Sequence, residues 1–316
     1  MYQTILIPVD GSPLSERALP YARVIAKTNK SRLILLRVIA GSPTDDTFGE
    51  IDCRPTIETY LHNLAASLDD STSIETTVVV GDAAQAILSE AARTGTDLIV
   101  MSTHGRSGIG RWIYGSVADA VMRQTTVPIL LIPATCSRVW TPGEPGRILV
   151  PLDGSQLGEA VLGPASDLAQ AMSAELVLLR VVELHPMVFM GPPGFVMVTP
   201  EPELESARAY LEGISQRVRS RVANVRAVDE LGLPLSRIVD VARDQQADLV
   251  ALSSHGNGGL TRLVMGSVAT GVVQSAGVPV LVVRPVDAAR GTSVRIGGTK
   301  NSVAEKGLEG ARDDSS

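Results

Sequence analysis

The sequence predicts an α/β protein of two similar domains, each an open five-stranded parallel sheet with helices on both faces. Three observations carry this expectation. The chain repeats itself, strand-length apolar runs alternate with helix-period segments, and the runs of the first, second and fourth strands lack the polar alternation of a half-exposed sheet. ILIPVDGS at 5–12 returns as ILVPLDGS at 148–155, and RLILLRVI at 32–39 returns as ELVLLRVV at 175–182. GDAAQAILSEAARTGTDLIVMSTHG at 81–105 returns as GLPLSRIVDVARDQQADLVALSSHG at 232–256, and VPILLIP at 127–133 as VPVLVVRP at 278–285. Asp10 recurs 143 positions on as Asp153 and Gly105 recurs 151 positions on as Gly256. The second copy is therefore longer, mostly in the stretch after its second strand, residues 186–202.

The elements follow in order. Ile5–Val9 is a short apolar run ending in Asp-Gly-Ser and reads as the first strand and turn. Ser12 is placed to cap the next helix, with Pro13 at its first position and Glu16 in its first turn. Leu14, Ala18, Leu19, Ala22, Ile25 and Ala26 recur at helical spacing and give that helix one buried face. Leu33–Ile39 is the second strand. After a variable loop, a helix is expected around Thr56–Leu68, apolar at Ile57, Leu61, Leu64 and Leu68. Ile74–Val80 reads as the third strand, Asp82–Ala92 as a helix, Leu98–Met101 as the fourth strand, Val117–Arg123 as a helix and Ile129–Ile132 as the fifth strand. Strands alternating with helices imply crossover connections and a parallel sheet. Residues 1–135 then form one domain, the Pro- and Gly-broken stretch 136–146 a linker, and 147–286 a second domain. Residues 287–316 lose periodicity, are rich in Gly, Ser and charge, and are expected to be disordered.

Composition narrows the function. Of 316 residues, 44% are hydrophobic and 20% charged, as in a globular protein with ample core. Aromatics are only 3%, so that core is built from Val, Leu, Ile and Ala. A net charge of −6 argues against a general nucleic-acid binder. Cys53 and Cys136 are far apart without metal-ligand spacing, which disfavours a disulfide framework or a zinc site and suits a reducing cytoplasm. No apolar run approaches the roughly 18 residues of a membrane span, and the N-terminus shows no secretory signal pattern.

The organising stretch is DLIVMSTHGRSGIGRWIYGSV at 97–117, matched by DLVALSSHGNGGLTRLVMGSV at 248–268. A buried strand, a glycine-bearing loop and a helix start present free backbone N–H groups to an anion. Gly105 permits a close approach, Gly115 leaves the helix start uncovered, and Ser116 either caps that helix or offers its hydroxyl to a phosphate. The plainer alternative is a tight turn with a serine cap and no ligand. Neither copy has a P-loop or a G-x-G-x-x-G run. In an open parallel sheet ligands bind beyond the carboxyl strand ends where strand order reverses, which puts Asp10 with Gly105, and Asp153 with Gly256, on one cleft each.

Each remaining candidate has two readings. Asp10 and Asp153 either stabilise their own Asp-Gly-Ser turns or hold a ribose hydroxyl or a phosphate-bound metal. His104 and His255 are bases or, more plainly, pack under the loop, since no nucleophile or carboxylate is fixed beside them. Arg111 and Arg262 neutralise phosphate or are simply exposed. Arg37 and Arg180 line the cleft or cover its rim. Val127-Pro128 and Val278-Pro279 open apolar, edge-like strands, which pair with each other or are covered by their own loops.

PVDGS and PLDGS near the start of the copies, LLRV in the second strands, and STHG or SSHG followed by GS and a VP-led apolar strand resemble the universal stress protein family across nearly the whole chain. The resemblance implies a tandem pair of Rossmann-like domains forming an intramolecular pseudo-dimer, dimerisation through the fifth strand, and adenine nucleotide as ligand. The family's nucleotide-binding branch carries G-x2-G-x9-G-[S/T]. Gly105, Gly115 and Ser116 match its last three positions with Ser102 in place of the first glycine; Gly256, Gly266 and Ser267 match with Ser253 in that place. By the same resemblance Asp10 and Asp153 contact ribose or phosphate, directly or through nucleotide-bound Mg, and Val38 and Val181 meet the adenine. Pro8, Val9, Met101, Ser102, His104, Gly105 and Arg106 line the first cleft, and Gly115, Ser116 and Val117 hold phosphate there. Pro151, Leu152, Leu252, Ser253, His255 and Gly256 line the second, with Gly266, Ser267 and Val268 at the phosphates.

Three functions follow from these residues: an ATP-binding stress-response regulator with little or no hydrolysis, an interaction module that binds no nucleotide, and a slow ATP hydrolase using Asp10 or Asp153. The loops also differ between copies, Arg106 becoming Asn257, which gives the first copy the firmer phosphate hold.

Overall fold

The computed structural model describes residues 2–41, 54–68, 73–104, 115–141, 143–144, 146–183, 201–256 and 265–285. Gly105, Arg106, Arg111, Arg262, Cys53 and residues 287–316 lie outside them. The first copy runs β1 (Thr4–Pro8), α1 (Pro13–Glu16), α2 (Leu19–Asn29), β2 (Arg32–Ile39), α3 (Arg54–Ala66), β3 (Ile74–Val80), α4 (Ala83–Thr94), β4 (Leu98–Ser102), α5 (Ser116–Gln124) and β5 (Ile129–Ile132). The second runs β6 (Arg147–Pro151), α6 (Gln156–Glu159), α7 (Leu162–Met172), β7 (Glu175–Val182), α8 (Glu201–Arg219), β8 (Val225–Leu231), α9 (Pro234–Asp244), β9 (Leu249–Ser253), α10 (Ser267–Ser275) and β10 (Val280–Val283).

The two five-stranded sets join into a single sheet ordered β3-β2-β1-β4-β5-β10-β9-β6-β7-β8. Every neighbouring pair is parallel except β5 with β10, which run antiparallel with Leu130 opposite Leu281. The pseudo-dimer is thus made by the two fifth strands, and each uses its open edge on the other. A homo-dimer through those strands would have to displace this internal pairing. The prolines that open them, Pro128 and Pro279, supply no N–H, but their carbonyls still join the ladder by accepting from the N–H groups of Ile99 and Val250.

Side-chain alternation along the strands divides the core into two layers. Ile5, Ile7, Leu33, Leu35, Leu98 and Val100, with their second-copy equivalents, face α2, α3, α7 and α8. Leu6, Ile34, Leu36, Ile99 and Met101, with theirs, face α4, α5, α9 and α10. Both layers run without interruption through both copies. At about 25 cal/mol per Å² of apolar surface removed from water, these layers dominate the favourable side of folding.

Two expectations need correction. The helix expected after Ser12 is two helices. Ser12 does cap α1, accepting from the Ser15 N–H at 3.2 Å. The chain then breaks at Arg17-Ala18, because Pro20 has no N–H for the Glu16 carbonyl and its ring crowds that turn. Pro164 has the same effect between α6 and α7. The α5 and α10 helices are capped by Gly115 and Gly266, and Ser116 and Ser267 are their first helical residues. The stretch after β5 packs against both copies. Cys136 and Trp140 are buried, the Trp140 ring meets Tyr21 edge-on at 5.0 Å, and its N–H donates to the Asp248 carbonyl at 3.1 Å. Arg17 donates to the carbonyls of Ala134 and Cys136, and Tyr21 to that of Arg138. Among the described residues, no helix is long and apolar enough to cross a membrane.

Candidate functional site

Strand order reverses at β1 and β4 in the first copy and at β6 and β9 in the second, and a cleft opens beyond the carboxyl ends at each. The first cleft encloses about 280 Å³ and the second about 1130 Å³. Every sequence-predicted residue that is described lines its cleft. Pro8, Val9, Asp10, Val38, Met101, Ser102, His104, Gly115, Ser116 and Val117 surround the first. Pro151, Leu152, Asp153, Val181, Leu252, Ser253, His255, Gly256, Gly266, Ser267 and Val268 surround the second.

The loop geometry is built from the strand end. The Gly115 N–H donates to the Thr103 carbonyl at 2.7 Å and the Gly266 N–H to the Ser254 carbonyl at 2.9 Å. These bonds pin the starts of α5 and α10 against β4 and β9. A β-carbon at Gly115 would fall 3.2 Å from the Thr103 oxygen, so glycine lets the two backbones close up. Neither helix start has a side-chain cap, and the first turn's N–H groups face the cleft with the positive end of the helix dipole. A phosphate fits that arrangement.

Across the cleft, the aspartates stabilise their own turns. Asp10 Oδ1 accepts from the Ser12 N–H at 2.9 Å and its hydroxyl at 2.6 Å; Asp153 Oδ1 accepts the same pair from Ser155 at 3.0 and 2.6 Å. Gly11 and Gly154 between them have φ of 78° and 81°, which permits the turn. Each carboxylate is therefore oriented by its own turn and still fronts the cleft. Arg37 and Arg180 line the clefts rather than the rims, donating at 3.4 and 3.2 Å to the carbonyls of Val9 and Leu152.

The histidines are held by their neighbours. His104 Nδ1 is 2.9 Å from Thr103 Oγ1, and His255 Nδ1 is 2.8 Å from Ser254 Oγ. Each ring is thus anchored at Nδ1 to the hydroxyl of the residue before it. His255 Nε2 is buried with no hydrogen-bond partner among the described residues.

Sequence reasoning missed a tyrosine–glutamate pair in each copy. The Tyr60 hydroxyl donates to Glu16 Oε1 at 2.7 Å, and Tyr210 donates to Glu159 Oε1 at 3.2 Å. Arg217 also bonds Glu159, at 2.8 Å. The pairs tie α3 and α8 to the one-turn helices behind the aspartates. Burial first, and then the partner glutamate, push both phenols above their ordinary range. The available signal was a Tyr-Leu dipeptide recurring at 60–61 and 210–211, and Glu16 recurring as Glu159.

A sequence profile described as the Universal stress protein family matches residues 1–133 and again 145–284. The chain belongs to the universal stress protein family. A universal stress protein of Mycolicibacterium smegmatis is 27% identical over 296 residues, covering 89% of this chain and 97% of its own length. One from Mycobacterium tuberculosis is 28% identical over 314 residues, covering 89% and 94%. Among solved structures, a universal stress protein from Archaeoglobus fulgidus superposes with a TM-score of 0.66 at 21% identity, covering 89% of this chain and 98% of that one, a likeness of fold. Both universal stress protein repeats of this chain thus carry the same cleft, one on each half of a shared sheet.

Proposed function

We propose that this universal stress protein binds adenine nucleotide, ATP, in both clefts and acts as a cytoplasmic stress-response regulator with little or no hydrolysis. The observation that carries the reading is the pairing, in each copy, of an uncapped helix N-terminus at Gly115-Ser116 or Gly266-Ser267 with a turn-oriented aspartate across the cleft. The N–H groups of Ser116 and Val117, and of Ser267 and Val268, would hold phosphate. Asp10 and Asp153 would take ribose hydroxyls or a phosphate-bound Mg, and Val38 and Val181 would flank the base. In this reading, occupancy sets the loop conformation that partners sense. Freshly purified protein, denatured and resolved by anion exchange, should release one ATP per cleft. Protein that carries none and shows no adenine-nucleotide binding in equilibrium titration would overturn the proposal.

One observation favours the interaction-module reading. The hydroxyls of Ser102 and Ser253, which stand where the nucleotide-binding pattern has glycine, accept the N–H groups of His104 and His255 at 3.3 and 3.4 Å. Those amides are thereby drawn away from a ligand. Unchanged nucleotide affinity in Ser102→Gly and Ser253→Gly would argue against this second reading.

A further inference from the structure

The shared sheet ends in two edge strands, β3 on one side and β8 on the other. The direction of each backbone group along β3 follows from its bonds to β2. The Leu33 N–H donates to the Ser73 carbonyl at 2.8 Å, and the Gly81 N–H donates to the Ile39 carbonyl at 2.9 Å. In the parallel register between those bonds, the groups of Glu75, Thr77 and Val79 turn toward β2, and those of Ile74, Thr76, Val78 and Val80 turn outward. None of the outward groups is hydrogen-bonded among the described residues. The side chains are meanwhile held in place, Ile74 and Val78 on one core layer and Val79 on the other.

The two edges differ in their defence against a further strand. Charged side chains discourage strand addition. β8 carries Arg226, Asp229 and Glu230, ion-paired with Glu175, Arg208 and Arg237 respectively. β3 carries Glu75 alone, ion-paired with Arg32 of the adjoining strand at 3.2 Å. Its other residues are Ile, Thr and Val, the types best suited to a strand. The edge is also self-complementary. When it is laid antiparallel on a second β3 with Thr77 opposite Thr77, Ile74 meets Val80 and Thr76 meets Val78, so every outward group is used. Glu75 then faces Val79, whereas a register centred on Glu75 would set like charges opposite each other. The chain already joins its own halves by antiparallel pairing of equivalent strands, β5 with β10. We propose that two copies of this chain dimerise through β3, antiparallel and centred on Thr77, so that the sheet continues across a two-fold axis. Such a contact is isologous and closes at two copies, whereas β3 against β8 would run head to tail.

Sedimentation velocity of the full chain over rising concentration is the test. A monomer–dimer equilibrium is expected; a monomer throughout, or growth into longer oligomers, overturns the proposal. Val78→Pro removes an outward N–H and no bond to β2, and should weaken the dimer about tenfold. Thr77→Lys sets two ammonium groups opposite each other at the two-fold axis and should also shift the equilibrium to monomer. A dimer unchanged by both substitutions overturns the proposal. Because either variant could disturb the strand itself, Thr77→Cys provides a check that reads by gain. Cysteines opposed at a non-hydrogen-bonded pair lie within disulfide reach, so mild oxidation should give a covalent dimer with Thr77→Cys and no more than the parent level with Thr76→Cys. Cross-linking that is absent from Thr77→Cys, or as strong in Thr76→Cys, overturns the pairing centred on Thr77.

Discussion

The Asp153 carboxylate stands against Gly256 so closely that a β-carbon on that glycine would lie 2.1 Å from Oδ2. A second glycine, Gly158, faces the other oxygen, where a β-carbon would lie 2.3 Å from Oδ1. The acid is seated between two backbones that carry no side chain. Gly256→Ala should therefore push Asp153 out of its turn. The expected cost is about 1–3 kcal/mol in stability, with loss of nucleotide from the second cleft only. Bound nucleotide per chain, set against a denaturant melt, reads both effects, and full occupancy of the second cleft in that variant would refute the seating argument.

The Tyr60–Glu16 and Tyr210–Glu159 pairs should behave as a matched set. Tyr60→Phe and Tyr210→Phe each remove a hydroxyl that donates to a carboxylate while keeping the ring. Each should lose about 1.5–3 kcal/mol, the range for a hydrogen bond to a charged group. Both substitutions also leave the partner glutamate less tied, so backbone amide exchange in α1 and α6 should quicken. Melts indistinguishable from the parent would show that these bonds contribute nothing net.

Trp140 joins the segment after β5 to Tyr21 of the first copy and Asp248 of the second. Trp140→Ala removes a buried ring from the core layer that both copies share. The expected loss is about 3–5 kcal/mol. Urea unfolding should also broaden as the halves lose part of their mutual support. A parent-like transition would mean the tryptophan merely covers the surface.

The α9 helix offers a gain. Asp82 caps α4, accepting the Gln85 N–H at 3.0 Å, whereas its counterpart Leu233 gives α9 no side-chain cap and is 71% exposed. Leu233→Asp should stabilise the protein by about 0.5–2 kcal/mol through the restored cap. Thermal unfolding at neutral pH tests it, and a lowered midpoint would contradict it.

Alkaline pH should weaken the fold through its tyrosines. Tyr2, Tyr21, Tyr60 and Tyr210 all have phenols raised above their ordinary value of 10.0, with burial the first cause in each. A phenol that ionises later in the folded than in the unfolded chain contributes stability that is whole below about pH 10 and is lost as pH rises above it. Absorbance titration at the phenolate band should show four of the five tyrosines still protonated at about pH 10 in native protein. Tyr2→Phe should flatten the stability loss between about pH 9 and about pH 11. Ordinary titration of all the tyrosines in the native state would contradict the burial assigned to them.

The cleft was legible because its residues sit at fixed places in a repeated pattern. Asp10 and Asp153 end apolar strands, and the glycine loops follow others, so topology alone brings them together. The pairing of β5 with β10 was legible as one solution to two apolar, proline-led edges. Other features depended on contacts that spacing does not encode. Tyr60 and Tyr210 share only a dipeptide at a shifted offset, and each finds its glutamate through the fold. Gly115 and Ser116 are both good cap residues, and the choice falls to the bond from Gly115 to Thr103 across the loop. Trp140 lies in a stretch whose Pro and Gly content reads as a linker, yet its ring finds a place in the core. Pro20 was visible, but the periodicity of Leu14 to Ala26 hid the break it makes.

The antiparallel seam between β5 and β10 has a consequence for traffic in and out of the molecule. All strands of one half point one way and all strands of the other half point the opposite way. Their carboxyl ends, and so the two mouths, lie on separate sides of the seam and share no rim. A protein that reads both occupancies together must make two separate contacts with the chain.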